Sequence, residues 1–148
     1  MASFAGPNLI NDSLMLSLDA ANTNSYPGSG TTWFDMSDKG NNGTLQNGAV
    51  FDSGNKGTIS LDGTNDRIDV AYSPTLEFSN GLISSEIWVY VDSLSNSFPL
   101  IAKRGNGATN NDRPYTFEIN TSGYVRWLLQ DNGSGLTVCD TAVLIEAG

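Results

Sequence analysis

The chain has 148 residues, of which 39% are hydrophobic and six Phe, five Tyr and three Trp are aromatic, enough for one domain with a real core. Seven Lys and Arg against sixteen Asp and Glu leave a net charge of −9, a field that repels phosphate backbones and anionic lipid, so neither nucleic acid nor a membrane is expected as a partner. With no histidine, the commonest general base, the usual zinc ligand and every Ser-His or Cys-His dyad are gone.

Residues 1–13 read as an arm lying outside the fold, and they carry neither the basic start nor the apolar run of a secretory signal. An alternating segment follows, in which Leu14, Leu16 and Leu18 are expected to face a core from a first strand. From Leu18 to Leu45 runs a long stretch rich in Gly, Asn, Ser and Asp with a single Trp, Trp33. Those polar residue types offer the backbone alternatives to helical hydrogen bonds, so this stretch is a loop. Val50-Phe51 is a short strand candidate. Ile59 and Leu61, then Ile68 and Val70, are expected to face the core on either side of a turn at Asp62–Asp66.

The run Ile87-Trp88-Val89-Tyr90-Val91 is apolar on both faces, as in a central strand covered on each side. Phe98–Ala102 and Leu136–Cys139 are further candidates, and Cys139, the lone cysteine, reads as a small core residue. The clearest pattern is a hairpin. Tyr115, Phe117 and Ile119 alternate with polar residues, and after a turn at Thr121-Ser122-Gly123 so do Val125, Trp127 and Leu129. Asn-Gly at 42–43, 47–48, 80–81, 106–107 and 132–133, with Asp62-Gly63, supplies turns throughout. The fold class is all-β, an antiparallel β-sandwich.

Several of these segments together resemble the opening of a laminin-G-like, concanavalin A-like jelly roll of the type found in bacteriophage structural proteins and bacterial surface proteins. They are Leu16-Ser17-Leu18-Asp19-Ala20, the loop from Tyr26 to Trp33, Asp35 to Ser37, Gly40 to Leu45, the turn Leu61 to Asp66, and Ser85-Glu86-Ile87-Trp88-Val89. The resemblance implies that residues 14–148 are the N-terminal part of such a jelly roll. A jelly roll has about eight strands, and sandwiches often run to about 200 residues, so the chain reads as cut short, with neighbouring copies or a partner as the alternative source of the missing strands.

Candidate site residues follow from residue type. Asp19, Asp35 and Asp38 crowd one loop and are metal candidates, because the resemblance implies calcium at the rim and calcium takes six to eight oxygen ligands. The competing reading, which takes precedence, makes them turn and capping residues; no cofactor is required and Ca2+ is an option. Trp33, Tyr26 and Tyr72 lie in polar loops and are candidates for stacking on sugar, although the resemblance suggests that Trp33 pins its loop to the core. Trp88 and Trp127 are expected in the core. Glu77, Glu86, Glu118 and Glu146 are isolated from one another and lack the Glu-x-Asp-x-x-Glu spacing of the related glucanases, so no enzyme is expected and no catalytic residue is assigned.

The resemblance implies a non-enzymatic structural and adhesion module of a virion, on a phage capsid, tail or fibre. Its partners would be other virion proteins or further copies of itself in a homo-oligomer, with a cell-surface glycan as ligand. The alternative is a carbohydrate-binding or adhesion domain of a bacterial surface protein, at the cell surface or extracellular.

Overall fold

A computed structural model describes residues 12–77, 83–93, 96–103, 115–130 and 136–144. The expected arm therefore lies outside the described residues except for Asp12 and Ser13, as do the Asn-Gly pairs at 80–81, 106–107 and 132–133. The chain divides into two compact units, Met1–Ile83 and Ser84–Gly148. Nearly all regular structure is strand, and every strand pairing among the described residues is antiparallel. No helix among them is long and apolar enough to cross a membrane.

In the first unit, β1 (Thr32–Trp33), β2 (Gly43–Gln46) and β5 (Arg67–Val70) form one sheet in the order β1-β2-β5. Alternation sets its faces: Leu45 lies opposite Ile68 on the covered side, while Arg67 and Asp69 pair with each other at 2.9 Å on the exposed side. Gly43 is needed where it stands, since a Cβ there would come within 2.8 Å of Ile68 Cγ2 and 3.3 Å of Leu18 Cδ1. A second sheet pairs β3 (Val50–Asp52) with β4 (Thr58–Ser60) around a short 3-10 turn, Gly54–Lys56.

In the second unit, β6 (Phe98–Lys103), β7 (Tyr115–Ile119), β8 (Tyr124–Gln130) and β9 (Leu136–Leu144) make a meander in sequence order. The expected hairpin is β7–β8. Tyr115, Phe117 and Ile119 face Leu129, Trp127 and Val125 across the ladder, and the Phe117 and Trp127 rings lie 4.8 Å apart. On the other face Glu118 sits opposite Arg126, with 3.9 Å between their charged groups. Asn120 closes the turn: its Oδ1 accepts the Ser122 and Tyr124 amides, its carbonyl accepts the Gly123 amide, and Gly123 takes a φ of 81°. Pro99 has no N–H to give, and the register of β6 against β7 shifts between Pro99 and Ile101. Cys139 lies on β9, and its side chain is outside the described residues.

Three expected strands differ. Leu14, Leu16 and Leu18 are half-buried, but their segment joins no ladder, because the Ser17 amide is taken by a side chain, Asp35 Oδ1. The turn at Asp62–Asp66 connects β4 and β5, which lie in different sheets, and Leu61, expected to face the core, lies beyond the end of β4 and is exposed. Ile87 to Val91 forms no strand, and Ile87 to Tyr90 are exposed, with Trp88 at 90%. An apolar sequence alone makes no central strand without hydrogen-bonding neighbours on both edges.

Candidate functional site

The Asp19–Trp33 loop is built from short polar side chains. Asp19 Oδ1 accepts the Ala21 amide and Asn22 Oδ1 the Asn24 amide, each two residues on, so both form Asx turns. They deliver Ser25 to full burial, where its hydroxyl donates to the Phe34 carbonyl at 2.6 Å and accepts the Asp19 amide at 3.1 Å. Tyr26 follows and is 2% exposed. Its hydroxyl donates to the Gly30 carbonyl at 2.6 Å, and its ring lies 5.1 Å from Phe51 and 6.3 Å, edge to face, from Trp33.

Tyr26 is thereby a core residue, which corrects it as a stacking surface: its ring has no face left for a ligand. Trp33 is half-buried, and its Nε1 is buried without a hydrogen-bond partner among the described residues.

Asp35 organises the next loop. Oδ1 accepts the Ser17 and Ser37 amides, each at 2.9 Å, while Oδ2 accepts the Ser37 hydroxyl at 2.6 Å and the Asn41 amide at 2.8 Å. Burial pushes this carboxyl up, but the bonds from the Ser37 hydroxyl and the Ser17, Ser37 and Asn41 amides outweigh it, so its pKa lies below the ordinary value. Asn41, itself buried, donates through Nδ2 to the Met15 carbonyl at 2.7 Å and to Thr75 Oγ1 at 2.9 Å.

The three metal candidates have separate duties. Asp35 holds four donors, Asp19 caps a turn, and Asp38 pairs with Lys39 at 2.7 Å. Among the described residues no three His, Cys, Asp or Glu side chains gather as a metal-holding group.

Tyr72 is placed quite differently, 76% exposed at the edge of an open cleft of about 310 Å³. Residues 39–42 line one wall and residues 71–73 the other. The walls are tied through the Asn41–Thr75 bond. Thr75 in turn belongs to the 3-10 turn Pro74–Leu76, whose cap is the Ser73 hydroxyl accepting the Thr75 amide. Asn42 Oδ1 accepts the Asp35 amide at 2.9 Å, which fixes the plane of that side-chain amide at the rim. Neither Lys39 nor Asn42 is a site candidate in the sequence, where Asn42 belongs to the Gly40 to Leu45 segment of the resemblance and to an Asn-Gly turn pair.

Trp88 is the other departure, expected in the core and found in solvent with its Nε1 donating to Glu86 Oε1 at 3.0 Å. Trp127 packs on Phe117 as expected.

No protein-family model matches the chain, and no curated protein matches it. A solved structure that it is similar to is the crystal structure of an S-layer domain-containing protein from Clostridium thermocellum, at 19% identity and a TM-score of 0.65. The match covers 82% of this chain and 54% of that one, so the chain spans about half the length of its neighbour. What the two share is a fold, an all-β arrangement of antiparallel sheets.

Proposed function

We propose that the chain is a non-enzymatic adhesion domain of a bacterial surface protein and that it holds carbohydrate there. The observation that carries this reading is the fold shared over 82% of the chain with an S-layer domain-containing protein. That neighbour favours the bacterial surface over the virion, although a virion module would use the same adhesive chemistry. The jelly-roll reading of the motifs from Leu16 to Val89 belongs with this proposal.

Chemistry supports it as well. A net charge of −9 disfavours polyanions, while sixteen Asn supply side-chain amide donors and acceptors suited to hydroxyl-rich ligands. The test is retention of the purified protein on isolated bacterial cell walls and on immobilised cell-wall polysaccharide. Retention that soluble sugars reverse is expected. Passage through both matrices without delay overturns the reading.

A further inference from the structure

We infer that the cleft beside Tyr72 is the sugar subsite and that it takes a single neutral pyranose ring. This rests on the carbohydrate-binding reading and gives it a place and a ligand class.

Four observations converge on it. Tyr72 presents a large ring surface to solvent, and aromatic faces are where the C–H face of a pyranose stacks while its hydroxyls stay hydrated. The opposite wall is preorganised: Asn41 is bonded to Met15 and Thr75, and Asn42 is held by the Asp35 amide, so binding need not first order the loop. With Oδ1 engaged, the exposed Asn42 side chain keeps its Nδ2 donors, a chemistry that suits hydroxyl oxygens. Gly40, at φ 71°, would have nothing within 4 Å of a Cβ, so that wall stays open.

Charge selects among sugars. The one cation among the described residues lining the cleft, Lys39, pairs with Asp38 at 2.7 Å, and the net charge of −9 disfavours a carboxylate or phosphate there. At about 310 Å³ the cleft is at the lower end of ligand sites, which typically start at about 300 Å³. That size seats one ring.

The test is saturation-transfer NMR with methyl glycosides of glucose, galactose, mannose and N-acetylglucosamine, and with glucuronate. Wild type is compared with Tyr72→Ala, Tyr72→Trp and Tyr72→Phe. Because Tyr72 is exposed, the variants should keep the wild-type near-UV circular dichroism. At least one neutral glycoside should show transfer that falls about tenfold or more in Tyr72→Ala and persists in Tyr72→Trp and Tyr72→Phe, because stacking needs the ring. Glucuronate should bind more weakly. Equal binding by wild type and Tyr72→Ala overturns the subsite. So does preference for glucuronate. If Tyr72→Ala is still retained on cell walls as wild type is, the subsite falls while the carbohydrate reading stands; if wild type binds neither walls nor glycosides, both fall.

Discussion

Asn41 Nδ2 donates to the Met15 carbonyl at 2.7 Å, joining two loop segments twenty-six residues apart. The same amide nitrogen reaches Thr75, and the Asn41 backbone amide reaches Asp35. One buried side chain therefore connects three separate stretches of the first unit.

Replacing Asn41 by Ala would leave the Met15 carbonyl, among the described residues, with only the longer, 3.4 Å bond from the Ser37 hydroxyl. Losing the bonds to Met15 and Thr75, each contributing about 0.5–1.5 kcal/mol, should lower stability of Asn41→Ala by about 1–3 kcal/mol in urea unfolding. A loss below about 0.5 kcal/mol would mean that water replaces the amide at no cost.

Acid sensitivity follows from Asp35. Its folded pKa is held below the ordinary 3.8, so as pH falls the unfolded chain takes up the proton first. The stabilisation is fully present above the unfolded value and is lost as pH falls through the lower, folded one. Asp35→Asn should flatten the fall of stability in that acid window, measured by unfolding at a series of pH values. An unchanged slope would remove Asp35 from the account.

Gly57 and Gly63 both hold positive φ, 115° and 72°, but in different surroundings. A Cβ on Gly57 would stand 2.7 Å from the Ala20 carbonyl oxygen and 3.0 Å from Phe51, whereas one on Gly63 would meet nothing within 4 Å. Gly63→Ala should cost about 1 kcal/mol, from backbone strain alone. Gly57→Ala adds a clash with backbone and should cost about 2–4 kcal/mol in total. Equal losses by thermal denaturation would show that the close approach relaxes.

Phe117 and Trp127 face each other across the β7–β8 ladder. Such aromatic pairs contribute about 0.5–1.5 kcal/mol beyond the area they bury. A double-mutant cycle with Phe117→Leu and Trp127→Leu should return a coupling in that range, and a coupling near zero would contradict the pairing.

Among the three tryptophans, Trp88 is the one in solvent, while Trp33 and Trp127 are half-buried. Trp88→Phe should shift fluorescence emission to the blue and remove most of the fraction quenched by iodide. Equal quenching of wild type and variant would mean that Trp88 is covered in solution.

The parts legible from sequence are those whose information is local. The β7–β8 hairpin could be read because alternation and an Asn-Thr-Ser-Gly turn specify register within sixteen residues, Tyr115–Gln130. The strand class of Ile87–Val91 could not, because pairing depends on neighbours elsewhere in the chain. Tyr26 illustrates the same limit at the candidate site. Its setting in a polar loop suggests exposure, yet the contacts that bury it come from Trp33 and Phe51. Tyr72, beside a proline turn, reads as a stacking candidate from sequence, but the wall opposite it at residues 39–42 is formed only by the fold.

The Asp35 carboxylate holds the amides of Ser17, Ser37 and Asn41, none of which lies in a strand. Hydrogen exchange there should accordingly be slow and synchronous, with those three protons released by one common opening event. Segments that look like loops on a ribbon drawing would then form a cooperative unit of unfolding, dismantled by removing a single carboxylate.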